Sequence, residues 1–127
     1  MIQRTGLTLV ETSAWIETMR PKGDVPTREK VIELLREKRA AWCEMIKLEL
    51  WCGALAKEMP DLEALAIDAV ALETTPKVWE NANALARKAR ARGLTIPSTD
   101  LLIFACAEVH GVEILHRDKH FDLLQAL

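Results

Sequence analysis

Short apolar segments that favour β-structure alternate with amphipathic helical segments along this chain, and this alternation is its most constraining feature. Such an order is typical of an α/β fold with three layers, α/β/α, and a mainly parallel central sheet. At 127 residues, the chain has the length of a single domain, which we assign to residues 1–127. The predicted strands are Leu7–Val10, Ala40–Cys43, Ala69–Leu72 and Val112–Leu115.

Helical periodicity and capping residues predict the segments between these strands. The first predicted helix runs from Ala14 to Met19 and is ended by Pro21, Gly23 and Pro26; the second is capped by Thr27, and the third covers Glu44–Lys57. A helical turn at Leu62–Ala66 and a helix over Pro76–Arg92 follow. The next helix is capped by Ser98 or Thr99 and ended by His110 and Gly111, and the last begins near His120. In the third helix a regular apolar stripe predicts the buried face, formed by Leu48, Trp51, Cys52, Leu55 and Met59.

The charge of the chain limits how it could bind nucleic acid. The formal net charge is -2, so no overall basic field attracts phosphates, and an RNA substrate would have to be met by a local patch or by metal ions. The basic run Arg87–Arg92 is one such patch. It is equally explained as cations placed at the C-terminal end of a helix, where the dipole favours them.

The cysteines and the absence of long apolar runs indicate the compartment. Cys43, Cys52 and Cys106 are odd in number, show no zinc-site spacing and lie among apolar residues, so we expect buried free thiols in a reducing cytoplasm. The sequence has neither a signal peptide pattern nor a stretch of about 18 apolar residues. We therefore expect a cytoplasmic protein that does not enter a membrane.

Four acidic residues are candidates for a common site. Glu11 and Asp118 follow predicted strands, Asp100 opens a helix, and Glu49 interrupts an apolar helical run. Each also has a local explanation, as a helix cap or a solvated side chain. Ligands of parallel α/β sheets gather beyond the carboxyl ends of the strands, which favours convergence. Clustered carboxylates repel one another unless a cation is present, and Mg²⁺ bound there could activate water for phosphodiester hydrolysis.

Four segments occur in a characteristic order: Leu9–Glu17, with Glu-Thr-Ser after the strand, Leu48–Gly53, Gly93–Asp100 and Arg117–Phe121. Together they resemble the PIN-domain family, and in particular the VapC toxins of toxin–antitoxin pairs. The resemblance implies an endoribonuclease that depends on Mg²⁺ or Mn²⁺, forms a homodimer and is held inactive by a VapB-like antitoxin in a hetero-oligomer.

The resemblance also implies roles for individual residues. It makes Glu49, Asp100 and Asp118, together with Glu11, the acidic metal ligands and catalytic residues, with Ser13 and Thr99 in support. The residues themselves suggest RNA or antitoxin contacts at Arg117, which is equally explained as a solvated side chain, and at Trp15 and Trp51, which are otherwise core residues.

The sequence departs from the family pattern at one acidic position. Family members typically have Asp where this chain has Glu11, and the extra methylene moves the carboxylate by up to ~1.5 Å. Because Mg²⁺ demands near-ideal geometry, an alternative function is a catalytically weakened PIN-like module that binds RNA or a partner. Further alternatives are a scaffold domain whose acids are caps, a DNA nuclease, and a zinc site that uses His116, Asp118 and His120.

Overall fold

The computed structural model describes residues 6–127, and its centre is a four-stranded sheet. The strands lie in the order β3-β2-β1-β4, and every neighbouring pair is parallel, which confirms the predicted sheet. Each strand is one or two residues shorter than its apolar segment. Their bounds are β1 Thr8–Val10, β2 Ala40–Trp42, β3 Val70–Ala71 and β4 Glu113–Leu115.

Helices connect the strands and cover the sheet. Parallel strands are almost always joined by right-handed crossovers, so the two connections that run from β1 to β3 lie on one face and the connection back to β4 lies on the other. The helices are α1 Thr12–Met19, α2 Val25–Arg36, α3 Glu44–Gly53, α4 Met59–Ile67, α5 Pro76–Ala91, α6 Ser98–His110 and α7 Lys119–Gln125, with a 3-10 turn at Ala56–Glu58 before α4.

The core is built from the central strands and from α6. Leu9, Val10, Ala40 and Ala41 of the two central strands are fully buried. The stretch 101–107 of α6 is buried at every position, as its unbroken apolar sequence predicts. Gly111 then ends α6 in the left-handed conformation, at φ 66°, which glycine adopts without strain.

The predicted buried face of α3 was wrong. Ile46 and Leu50 are the buried residues of this helix, whereas Leu48 is 56% exposed and Trp51 is only partly buried. The helix also ends at Gly53, so Leu55 lies outside it and is 58% exposed. Apolar residues occupy several sides of α3, so its sequence allows two registers, and packing against the sheet selects the other one.

Two helix starts also differ from the prediction. Asp24, not Thr27, caps α2, because its carboxylate accepts bonds from the backbone N–H and the hydroxyl of Thr27. Pro26 therefore lies in the first turn of α2, where its missing N–H costs little. At the start of α6 neither Ser98 nor Thr99 caps; Pro97 holds the N-cap position and no side chain caps the helix.

The three cysteines are free thiols, but they differ in burial. Cys43 and Cys106 are buried as expected, whereas Cys52 is exposed, since it lies on the outer face of α3. Within residues 6–127, no helix combines the length and the apolar character that crossing a membrane requires.

The corrected register of α3 can be tested by a matched pair of substitutions. Ile46→Ala removes a fully buried side chain and should lower the free energy of unfolding by about 2–5 kcal/mol. Leu48→Ala, on the exposed face of the same helix, should change it by no more than about 0.5 kcal/mol. Urea denaturation monitored by tryptophan fluorescence measures both changes. A larger loss of stability in Leu48→Ala than in Ile46→Ala would support the register predicted from the sequence, in which Leu48 is buried.

Candidate metal centre

The site lies at the carboxyl ends of β1 and β4, which are neighbours in the sheet. Val10 pairs with Leu115, so the chain leaves both strands at the same edge. The backbone N–H of Glu11 still donates to the carbonyl of Leu115, at 3.0 Å. This pairing places Glu11 beside the loop that leads to Asp118, at the point where neighbouring strands continue to opposite sides of the sheet.

Asp100, Asp118 and His120 form the compact part of the site. One ligand atom of each lies within 4.8 Å of the others. His120 Nδ1 lies 3.0 Å from Asp100 Oδ2 and 3.3 Å from Asp118 Oδ1. Asp100 comes from the first turn of α6 and is only 6% exposed, whereas Asp118 and His120 come from the start of α7. The two helices on either side of β4 thus contribute to one cluster.

The start of α7 fixes two members of this cluster by a local interaction. Asp118 is the N-cap residue, and its Oδ1 accepts the backbone N–H of His120 at 2.9 Å. The cap sets the position of the carboxylate relative to the imidazole two residues later. Asp118 is therefore both a helix cap, as its local explanation states, and a member of the cluster.

Glu11 is held beside the cluster by Ser13. The Glu11 side chain is 3% exposed, and its Oε2 accepts the backbone N–H of Ser13 at 2.8 Å and also the Ser13 hydroxyl. The Ser13 Oγ in turn accepts the backbone N–H of Arg117 at 2.8 Å. Ser13 thus links the end of β1 to the loop after β4, and so supports the geometry of both acidic positions.

Glu49 approaches from α3 and is half-buried. Its Oε1 accepts the hydroxyl of Thr12 at 2.6 Å, which ties α3 to the residue that follows Glu11. Glu11 and Glu49 are not part of the 4.8 Å cluster of Asp100, Asp118 and His120, but their charges act on each other. The four predicted acids therefore lie in one region: Asp100 and Asp118 form a compact pair, and Glu11 and Glu49 flank it.

Burial and mutual repulsion disfavour negative charge here. The pKa of Glu11 is raised from 4.5 to about 6: burial is the largest cause, the hydrogen bonds from Ser13 oppose it, and the charges of Asp100 and Glu49 add to it. Burial also raises the pKa of Asp100; the hydrogen bond from His120 opposes this shift, and Asp118 adds to it. A divalent cation would relieve both effects, since it interacts with the charged forms only.

The donor set fits a divalent ion. Asp100 and Asp118 offer carboxylate oxygens and His120 offers a ring nitrogen, all of which are common metal ligands. From the sequence, His120 was a candidate ligand only in the alternative of a zinc site with His116 and Asp118. In the structure His116 faces elsewhere: its Nδ1 lies 3.2 Å from the backbone N of Asp118, and its Nε2 lies 3.6 Å from Asp122. The spacing of His120 from Asp118 was the signal available in the sequence.

The other predicted contact residues have different outcomes. Trp15 is fully buried and its ring centre lies 5.7 Å from that of Trp42, so it is a core residue and the prediction of a partner contact is wrong. Trp51 is partly exposed, and Lys47 lies over its ring at 5.4 Å.

Arg117 is half-exposed, with its guanidinium 3.6 Å from Asp24. Thr99 is half-buried beside Asp100, in the first turn of α6.

Comparisons with known proteins are consistent with this geometry. The family model for the PIN domain matches residues 8–127. A VapC ribonuclease of Mycobacterium bovis and the ribonuclease VapC11 of Mycobacterium tuberculosis are each 38% identical to the chain over 121 residues, which cover 91% of this chain and 90% of the relative.

Solved structures support the fold. VapBC2 from Rickettsia felis, bound to a DNA fragment from its promoter, aligns with a TM-score of 0.80 at 17% identity and covers 95% of both chains. DNA-bound VapBC from Salmonella typhimurium aligns with a TM-score of 0.78 at 16% identity, over 91% of this chain and 90% of that chain.

The raised pKa of Glu11 predicts a pH-dependent loss of stability. A carboxyl whose pKa is higher in the folded state stabilises the fold while protonated, and this contribution is lost as pH rises from about 4.5 through about 6. In EDTA, the free energy of unfolding of the wild type should therefore fall by about 2 kcal/mol more than that of Glu11→Gln between pH 4 and pH 7.

Chemical denaturation over this pH range measures the difference. The exposed Glu80→Gln on α5 is the matched control, and its stability should follow the wild-type curve. Parallel curves for the wild type and Glu11→Gln would mean that burial does not destabilise the Glu11 carboxylate.

Proposed function

This chain belongs to the PIN-domain family, among the VapC ribonucleases, and we propose that it is a metal-dependent endoribonuclease toxin that hydrolyses RNA phosphodiester bonds. The observation that carries this proposal is the convergence of Asp100 and Asp118 with His120, flanked by Glu11 and Glu49. The relatives of similar length are ribonucleases by name, which favours RNA over DNA as the substrate.

We assign the metal to the carboxylates of Asp100 and Asp118 in the compact cluster, with Mg²⁺ or Mn²⁺ as the ion. When bound, such an ion supplies Lewis-acid activation of water and of the scissile phosphate. The protein provides a fixed, largely buried set of donors: the N-cap bond holds Asp118, and α6 holds Asp100. Glu11 and Glu49 flank this cluster and would accept hydrogen bonds from waters that a bound ion retains.

Ser13 positions Glu11 for this role. Because its hydroxyl and its N–H both hold Glu11 Oε2, the longer side chain has one fixed place at the end of β1. This arrangement supports activity despite the departure from the usual Asp. The exposed cations Arg87, Lys88, Arg90 and Arg92 at the end of α5 offer contacts to the RNA backbone.

We further propose that a VapB-like antitoxin neutralises the chain and that the chain forms a homodimer. The solved VapBC complexes with the same fold support the antitoxin. On this chain, α3 carries the exposed Leu48 and, three residues later, the partly exposed Trp51; the exposed Leu55 follows the helix, and Arg117 is exposed beside the site. Apolar groups at such a surface are suited to a partner helix. An apolar groove between α5 and α6, beside the half-exposed Trp79, supports self-association.

Removal of a metal ligand tests the nuclease proposal. Asp100→Asn keeps the size of the side chain but removes its charge, and it should reduce RNA cleavage in Mg²⁺ or Mn²⁺ by at least about 100-fold. EDTA should abolish cleavage by the wild type. A fluorogenic RNA assay with purified protein measures both effects.

The matched control for this assay lies on the same helix. Glu108 is exposed near the other end of α6, so Glu108→Gln should leave cleavage unchanged. Cleavage that persists in EDTA and in Asp100→Asn would exclude a metal-dependent nuclease at this site.

Glu11→Asp distinguishes an active ribonuclease from the weakened binding module. If Ser13 compensates for the extra methylene, the variant should cleave RNA within about tenfold of the wild type, a barrier difference of about 1.4 kcal/mol. The comparison of kcat/KM on one RNA, with the melting temperature as a folding control, measures this. A much larger gain in cleavage would show that Glu11 weakens the site and would favour the alternative.

A further inference from the structure

His120 is the one member of the compact cluster that is not a carboxylate. Its Nδ1 lies 3.0 Å from Asp100 Oδ2 and 3.3 Å from Asp118 Oδ1, so the same ring nitrogen contacts both acids. The imidazole is partly buried, and the cap of α7 fixes its backbone through Asp118. An ion that takes Asp100 Oδ2 and Asp118 Oδ1 would meet this nitrogen in place of the hydrogen bond that now joins it to Asp100.

The spacing of the three donor atoms favours direct binding. Adjacent ligands of an octahedral ion at about 2.1 Å lie roughly 3.0 Å apart, and opposite ligands lie roughly 4.2 Å apart. The distances of 3.0 and 3.3 Å from Nδ1 match adjacent positions, and all three donors lie within 4.8 Å of one another. The nitrogen is thus spaced from each of the two oxygens as adjacent ligands of one ion are.

The chemistry of the donor distinguishes between metals. Mg²⁺ takes oxygen ligands almost without exception, whereas imidazole nitrogen suits transition metals. We propose that His120 Nδ1 is a direct metal ligand and that this nitrogen makes the centre select Mn²⁺ over Mg²⁺. This inference rests on the proposed metal-dependent function and specifies which ion the same site takes.

The other two histidines of the chain have different partners. His110 Nε2 lies 2.8 Å from the carbonyl of Glu73, and His116 Nδ1 faces the backbone N of Asp118. Neither belongs to the cluster of Asp100, Asp118 and His120. A nitrogen signal from a bound ion would therefore identify His120, and His116→Asn provides a matched control in the same loop.

Pulsed electron paramagnetic resonance of the Mn²⁺-loaded full chain tests direct binding. The wild type and His116→Asn should show hyperfine coupling from an imidazole nitrogen, and both His120→Asp and His120→Gln should lose it. Absence of this coupling in the wild type, or its persistence in both His120 variants, would overturn the proposal.

Competition between the two ions tests selectivity without any activity measurement. The ratio of the Mg²⁺ and Mn²⁺ dissociation constants, obtained by displacement of Mn²⁺, should fall by about tenfold in His120→Asp, because an oxygen donor replaces nitrogen. The ratio is informative because the added negative charge strengthens binding of both ions. An unchanged ratio would overturn the selectivity.

Failure of the inference differs from failure of the proposed function. Mn²⁺ that binds the wild type without nitrogen coupling, and binds Asp100→Asn more weakly, contradicts only the role of His120. Mn²⁺ that binds neither protein, or both equally, contradicts the metal centre itself and overturns both proposals. Melting temperatures of the variants without metal establish that each one is folded.

Discussion

The pairing of β1 with β4 is the constraint on which the site depends. These strands are far apart in sequence, and their register brings Glu11 against Leu115 and the loop to Asp118. Ser13 then links the two strand ends, because its side chain donates to Glu11 and accepts from the backbone of Arg117. A shift of either strand by one residue would move its side chains to the opposite face of the sheet and would separate these groups.

The site concentrates negative charge where the fold excludes water, which costs stability in the absence of a cation. The raised pKa values of Glu11 and Asp100 are the direct expression of this cost. Local donors offset part of it: the backbone N–H of Ser13 and that of His120 each bond to a carboxylate. Such bonds orient the acids, and the remaining repulsion is what a divalent ion removes on binding.

The sequence predicted the sheet and the convergence of the acidic side chains better than it predicted helix registers. Strands such as Thr8–Val10 and Ala40–Trp42 are short, apolar and bounded by clear turns, so pattern and structure agree. In α3, apolar residues face several directions, and only tertiary packing determines that Ile46 is buried and Leu48 is exposed. The start of α2 was missed because Pro26 ends one helix as readily as it begins another.

The role of His120 could not be deduced from the sequence, because it depends on two helices meeting. From spacing alone, His116, Asp118 and His120 form an alternating set, which does not distinguish between the two histidines. The N-cap of α7 bends this segment, so that His120 turns toward Asp100 of α6 while His116 faces Asp122. Pattern-based alignment of acidic positions identifies the oxygen donors of such a centre. The nitrogen donor becomes evident only when the distances between α6 and α7 are known, and it is this donor that distinguishes one divalent ion from another.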